Sequence, residues 1–406
     1  MQKYARLIAQ KGANVQKNQE VFIDAGLDQP EFVKMLVEEC YRKGAKKVTV
    51  EWDYQPLTKV NYRYRSLKTL STMDKWQIEK YQHKVDVLPA MIYLESDDPD
   101  GLKGVDQQKV AKAQQALYPI IKPMREKMEN KYQWCIAAVP GEAWAKKVFP
   151  GERVGKAVEK LWEAILFTSR AADGNGVANW ERHNAELKKR CAYLNSLGLK
   201  ELHYRSSNGT DLRVGLIPGV LFQAGGEKIR GGDFEFQPNI PSEECFTSPM
   251  KGKAEGVVYS AKPLVYNGQV ISDFYIVFKE GKAVEVHAKE GEEALRSILS
   301  LDEGSAYLGE CALVPYDSPI NNTGLLFYNT LYDENACCHL ALGRGFNELY
   351  PGYENLSEAE IREKGINFSM SHVDFMIGSK DLSIVGTKES GEEVPLFENG
   401  NWAFEF

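Results

Sequence analysis

Four stretches of the chain set ligand-type side chains in surroundings that call for an explanation. In Ser371-His372-Val373-Asp374 an imidazole and a carboxylate stand two residues apart. On a strand, residues i and i+2 point to the same face, so His372 and Asp374 can reach one ion together. Alone, the pair reads more readily as two surface residues of a half-exposed strand. In Gly309-Glu310-Cys311-Ala312-Leu313-Val314-Pro315 a single glutamate sits inside an apolar strand pattern. A buried carboxylate has to be paired, hydrogen-bonded or metal-bound. In Pro241-Ser242-Glu243-Glu244-Cys245-Phe246 two consecutive carboxylates follow a proline among apolar residues. The same pattern fits a helix start whose acids complement the helix dipole. The fourth stretch runs from Asp333-Glu334-Asn335 through Cys337-Cys338-His339 to Gly343. Its pattern predicts a helix over 335–342 that carries His339, with Leu340 and Leu342 on the apolar face. A hydrogen-bonded helix histidine is the plain alternative. The adjacent thiols read as small buried hydrophobes, since no third cysteine has metal-site spacing.

Taken together, Glu244, Glu310, Glu334, His339, His372 and Asp374 are four carboxylates and two imidazoles. Four negative charges balance two divalent cations. An oxygen-rich set with a minority of nitrogens suits Zn, Co or Mn better than a cysteine-built structural zinc. Glu243 is left over beside a ligand, in a place suited to a general base. That these residues meet is an expectation about the fold.

The elements that must position them change character near residue 198. Before it, strands alternate with helices. The segment 21–24 reads as a short buried strand. Pro30 then opens a helix, where its missing N–H costs nothing. Phe32, Val33, Leu36, Val37 and Tyr41 recur at helical spacing and mark its buried face. Gly44 is a natural stop, and 48–52 is the next strand. Such a β-α-β unit implies a parallel sheet with a right-handed crossover. The segment 132–139 is a further strand. Val154, Val158, Leu161, Trp162 and Ile165 mark one later helix, and Leu187, Cys191, Leu194 and Leu197 another. Beyond 198 the pattern is mostly strand, punctuated by Asn208-Gly209, Asn267-Gly268, Glu280-Gly281 and Asn399-Gly400. A helix at 292–301 interrupts it. The expected architecture is an α/β domain with a mainly parallel sheet over 1–197, then a strand-rich α+β domain over 198–406.

Bulk properties agree with two globular domains. The chain has 406 residues, and domains run to roughly 100–200 residues each. A hydrophobic share of 43% and a charged share of 26% allow an ordinary core. A net charge of −7 argues against nucleic acid as the main partner. No apolar run approaches the roughly 20 residues of a membrane helix, and residues 1–9 show no secretory signal pattern. Seven cysteines, an odd number with no C-x-x-C pair, fit reduced thiols and a cytoplasmic location. Other chemistries are poorly served. Gly174-Asn175-Gly176 lacks the third glycine of a dinucleotide fingerprint. No G-x-S-x-G elbow is present. A two-metal phosphoesterase would want more Asp and His ligands and a phosphate cradle.

At these motifs the chain resembles the aminopeptidase T/aminopeptidase S family of metallopeptidases, the thermophilic aminopeptidases. The likeness runs nearly end to end. It takes in Gly12-Ala13-Asn14-Val15, the 44–50 segment, Pro140-Gly141-Glu142-Ala143-Trp144-Ala145, Trp180 with His183, and Gly209-Thr210-Asp211-Leu212. It continues through 239–249, Gly309-Glu310, 334–343 and His372-Val373-Asp374. The resemblance implies an α/β domain followed by a strand-rich catalytic domain with two divalent metal ions per chain, drawn from Zn, Co, Mn or Mg. By the family's pattern Glu244, Glu310, His339, His372 and Asp374 are ligands, with Glu334 a sixth. It further implies peptide substrates with a free N-terminus, hydrolysis of the N-terminal peptide bond with broad specificity, and a homodimer.

One position departs from the pattern. The family usually carries a tyrosine seven residues after the histidine matched by His339, and here that position is Phe346. A phenol there would donate a hydrogen bond to a ligand or to the tetrahedral intermediate. Loss of such a donor costs on the order of 100- to 1000-fold in turnover. Tyr350 lies four residues further on. The departure keeps a second reading open, a catalytically silent or weak homologue that binds metal or peptide.

Overall fold

The computed structural model describes residues 1–406, which form two compact units. One comprises Met1–Asn184 and Gly225–Ser242, the other Ala185–Ala224 and Glu243–Phe406. The chain first crosses between them inside the helix Gly176–Ser196, so the expected cut at 197/198 lies within the second unit. It then returns for 225–242. That return carries only the two-residue strands Glu227–Lys228, Glu235–Phe236 and Asn239–Ile240, too brief to leave a periodic signal.

The first unit holds a five-stranded parallel sheet. Its strands lie in the order Lys47–Asp53, Glu20–Gly26, Ala90–Glu95, Trp134–Ala138 and Asn239–Ile240. The helix Pro30–Arg42 links the two strands at one edge, and Gly44 closes it in the left-handed region at φ 102°. Phe32, Val33 and Leu36 are buried as expected. Tyr41 is not; it is exposed in the last helical turn, where its phenol oxygen accepts the Val48 N–H.

Asp24 and Glu51 are register partners on adjacent strands of this sheet. Lys80 and Lys84, on the helix Lys75–Val87, reach Glu51 at 2.9 and 3.3 Å. Burial pushes the Asp24 carboxyl up to about 6, with Lys84 opposing and Glu51 reinforcing the shift. Burial acts on Glu51 in the same sense, but its two lysines outweigh it and hold that carboxyl below its usual range. The helices Gln55–Tyr64, Leu67–Leu70 and Lys75–Val87 bury none of their own residues. Nine of the seventeen exposed large hydrophobics fall between Trp52 and Val87, so this stretch presents an apolar surface.

The second unit contains a nine-stranded antiparallel sheet and a four-stranded one. Its tight turns fall at the expected dipeptides. Asn267-Gly268, Glu280-Gly281 and Asn399-Gly400 all take positive φ at both positions, as two-residue hairpins favour. The smaller sheet runs Cys245–Thr247, Leu308–Leu313, His339–Gly343, His372–Met376. One core joins the two sheets. It takes Tyr204, Val214 and Ile276 from the larger and Cys311, Leu340 and Phe375 from the smaller. Full burial of an apolar side chain of this size contributes about 1.5–3 kcal/mol. No helix is long and apolar enough to cross a membrane.

One expected helix is absent, and so is one that the pattern at Pro241 allowed. The helix Thr330–Glu334 ends at Asn335, and His339 opens a strand rather than riding a helix. The local Ala and Leu content favours a helix. The position between two partner strands overrides it, because pairing on both edges and burial on both faces reward the extended chain. Likewise no helix begins at Glu243; irregular backbone leads from Pro241 into the strand Cys245–Thr247.

Candidate metal centre

The smaller sheet sorts its side chains by the period of two. Cys338, Leu340, Leu342, Val373 and Phe375 enter the shared core. His339 and Ala341 alternate with them on one strand, His372 and Asp374 on the next, and Ala341 pairs with both Asp374 and Glu310. One strand needs a correction to do this. Leu308 pairs with Leu342 and lies in the core, while Glu310 pairs with Ala341 on the opposite face. A regular strand would put Leu308 and Glu310 on the same face. The register shift between them supplies one extra residue, and the glutamate turns over. That extra residue is Gly309. A Cβ there would stand 2.3 Å from the Arg344 carbonyl oxygen, so only glycine fits.

The result is two overlapping groups of donors. Glu244, Glu310 and His339 offer ligand atoms within 4.8 Å of one another, and so do Glu310, His372 and Asp374. Glu310 belongs to both. Glu244, Glu310 and His339 are buried. The His372 and Asp374 side chains, at 27% and 14% exposure, form the open end of the cluster.

Both imidazoles are held by their far nitrogens. His339 Nδ1 lies 2.8 Å from the Glu334 carbonyl oxygen, and His372 Nδ1 lies 2.7 Å from that of Arg344. A carbonyl only accepts, so each Nδ1 carries the hydrogen. In the neutral ring each Nε2 is then a lone pair. These Nε2 atoms face carboxylate oxygens: Glu244 at 3.1 Å from His339, and Glu310 and Asp374 at 3.0 and 3.1 Å from His372. Acceptors facing acceptors at this range need a proton or a cation between them. A backbone carbonyl fixing the tautomer behind the ring is the usual support of a metal-ligating histidine.

The charges agree with the geometry. Burial pushes Glu310 up to about 7; His372 opposes this, while Asp374 and Glu244 add to it. Burial also lifts Glu334 well above the carboxylate range, with the charges of Asp374, Glu244 and Glu310 adding to the rise. Burial alone would lower both imidazoles. The acids outweigh it, Glu244 for His339 and chiefly Asp374 for His372, and both are raised. Asp374 itself is held down, to about 2, because His372 outweighs its burial. Its Oδ1 is buried without a hydrogen bond, facing the same His372 Nε2 that faces Glu310. An orphaned carboxylate oxygen, mutually repelling acids and lone-pair nitrogens form a donor set that fits divalent cations.

Glu334 and Glu243 stand differently from the five. Glu334 is buried and feels the charges of the cluster, yet it belongs to neither ligand-distance group. Glu243 is buried beside Glu244, and its backbone N–H donates to Asn335 Oδ1 at 2.7 Å. Asn335 is fully buried, and its Nδ2 donates to Leu331 O at 2.9 Å and to Glu334 Oε1 at 3.3 Å. This amide ties the Glu243-Glu244 segment to Glu334. Sequence reasoning gave it no such role; its only signal is an Asn directly after two acids. Phe346 packs with its ring centre 5.0 Å from that of His372 and 5.1 Å from that of Phe246.

Comparison with known proteins covers the whole chain. The family model described as thermophilic metalloprotease (M29) matches residues 1–402. Aminopeptidase AmpS of Bacillus subtilis (strain 168) is 40% identical over 402 residues, covering 99% of this chain and 98% of that protein. Aminopeptidase T of Thermus thermophilus is 39% identical over 403 residues, with 99% and 98% covered. The solved structure of wild-type AmpT from Thermus thermophilus matches with a TM-score of 0.89 at 38% identity, over 99% of this chain and 98% of that one.

Proposed function

The chain belongs to the thermophilic metalloprotease family M29, and on that premise we propose that it is a two-metal aminopeptidase acting on peptides with a free N-terminus. It is a peptide hydrolase of the metal-dependent kind. The observation that carries the two-metal reading is the pair of donor groups that share Glu310. Glu244, Glu310 and His339 would hold one ion, and Glu310, His372 and Asp374 the other. Glu334, which feels the charges of Asp374, Glu244 and Glu310, would be a sixth ligand. Zn, Co, Mn and Mg all accept such donors.

Bound divalent ions supply Lewis acidity, lowering the pKa of water and polarising the scissile carbonyl. The residues of the chain do the rest. Glu243 takes the proton of the attacking water and passes it to the leaving amine. The substrate's free α-amine would be held by an ion or a nearby carboxylate, a contact that an internal peptide bond cannot make. Asn335 positions Glu243 through its backbone. The complete donor set argues against a silent homologue that has given up metal as well as chemistry.

A homodimer and a cytoplasmic setting belong to the same proposal. The apolar stretch Trp52 to Val87 is a surface that a second copy would cover. All seven cysteines are free and buried, which suits a reducing compartment.

The test is an add-back assay. The protein is stripped with a chelator and offered peptides with free or acetylated amino ends, with Zn, Co, Mn or Mg restored in turn. Release of the first residue should require metal and vanish on acetylation. Cleavage without metal, or cleavage of acetylated peptides at the same rate, would reject the mechanism.

A further inference from the structure

A cavity of about 500 Å³ in the second unit is lined by Lys262, Tyr316, Asn321, Asn322, Leu325 and Leu326. Amides and a phenol beside two leucines make a surface suited to a peptide. Lys262 is the one charged residue on the wall. It is half-buried, and its ammonium donates no hydrogen bond and joins no ion pair. A half-buried ammonium with no hydrogen-bonded acceptor has donors to offer, and an incoming anion can take them.

The place of this lysine links it to the metal centre. Next to it, the Ala261 N–H donates at 2.7 Å to the carbonyl of Met376, the last residue of the strand that carries His372 and Asp374. Three residues on, the Val265 carbonyl accepts from Thr330 Oγ1 at 3.5 Å, at the start of the helix that ends in Glu334. Lys262 therefore stands on a loop clipped to both of these elements. Its charge is also felt by the buried Asp333 carboxyl, the neighbour of Glu334.

A peptide whose free α-amine is held at the candidate metal centre has one obligatory charge left, the carboxylate at its other end. In a short peptide that group lies only a few residues away, at most about 3.3–3.6 Å per residue. We propose that Lys262 is a specificity residue that pairs with a substrate carboxylate beyond the scissile bond, so that the enzyme favours short peptides with a free C-terminus. This rests on the aminopeptidase reading. An acidic side chain presents the same chemistry as a C-terminal carboxylate, and the experiment separates the two.

The metal-loaded enzyme, Lys262→Met and Lys262→Arg are compared on di-, tri- and tetrapeptides, each as free acid and as C-terminal amide. A further set of amides carries Glu or Gln after the first residue. Equal metal content and equal melting temperatures establish that the variants fold. In the native enzyme, amidation should raise KM about tenfold at one length or more, the scale of a charge-assisted hydrogen bond. Lys262→Met should raise the KM of the acid to that of the amide, leave kcat within about twofold, and leave the amide unchanged. Lys262→Arg should restore part of the preference. A preference for Glu over Gln that disappears in Lys262→Met would support the pairing with a side-chain carboxylate as its source. Equal KM for acids and amides at every length, with Glu and Gln alike, would overturn the role of Lys262 alone. No release of the first residue from any peptide, acid or amide, would overturn the aminopeptidase reading together with it.

Discussion

Each unit withdraws carboxylates from water on the face of a sheet, and the two settle the charge in opposite ways. In the first unit Asp24 and Glu51 lie side by side, and Lys80 and Lys84 come down on Glu51 from a covering helix. The counter-charge is part of the chain. In the second unit the ion pairs of Glu310 and Asp374 are with His372 alone. That imidazole is anchored so that a lone pair faces the acids. A covalently attached lysine completes a structure; a lone-pair nitrogen among acids leaves room for an exchangeable cation. Buried acids alone do not mark a metal centre. What singles out the candidate centre is the chemistry of the groups set against them.

The comparison fails if acids in the second unit can be removed as harmlessly as those in the first. Glu310→Gln should have the largest effect. Glu310 is common to both donor groups, so on the proposed two-metal reading the metal content measured by elemental analysis should fall from two ions per chain to fewer than one. Turnover should drop by more than the roughly 100- to 10,000-fold that loss of a general base costs. Two ions retained at full activity would dissolve the distinction between the units.

Glu243→Gln sharpens it within the second unit. Metal content should stay at the native level while kcat falls by about 100- to 10,000-fold. Loss of metal in this variant would move Glu243 from base to ligand. Phe346→Tyr works in the other direction. A phenol beside His372 should raise kcat, by about 10- to 100-fold if it regains part of the donor effect. Unchanged kcat would mean that this chain uses no donor at that position.

Asp24→Asn should have the smallest effect, confined to the stability of the first unit. The Asp24 carboxyl titrates at about 6 in the folded chain, above its unfolded value of about 3.9. The folded state therefore binds this proton more tightly, and the first unit gains stability from it as pH falls from 7 toward 4. The amide should abolish that slope and stabilise the unit near pH 7 by about 1–2 kcal/mol. Hydrogen exchange along Glu20–Gly26 at pH 4.5 and 7.5 reads it out, with metal content and turnover unaltered. An unchanged slope would mean that Asp24 is not the titrating group.

Much of this was legible because burial and charge conflict openly in a sequence. A glutamate between Leu308 and Leu313, and a histidine two residues from an aspartate, announce themselves before any fold is known. The hairpin turns were legible for a similar reason, since few residues but Asn and Gly take positive φ readily. His339 was misread because Ala-Cys-Cys-His-Leu-Ala-Leu carries helix propensity, and the two strands that claim it lie far away in the chain. The return of 225–242 to the first unit was invisible, as two-residue strands have no period to detect. The role of Asn335 lies in contacts to Glu243 and Glu334, and pairing across ninety-two positions leaves no local trace.

The extra residue at Gly309 works like a shift of reading frame. Strand residues alternate between two faces as strictly as codons follow a frame, and one inserted position exchanges the meaning of everything after it. Upstream, Leu308 is read as core; downstream, Glu310 is read as site. A redesign that idealised this strand by deleting Gly309 would improve the ladder and write the carboxylate shared by both donor groups into the hydrophobic layer. Substitution by alanine would jam the same position against a neighbouring carbonyl. The centre thus depends on a residue that contributes no chemistry of its own, and homologues or designs should be aligned on this shift before their ligands are compared.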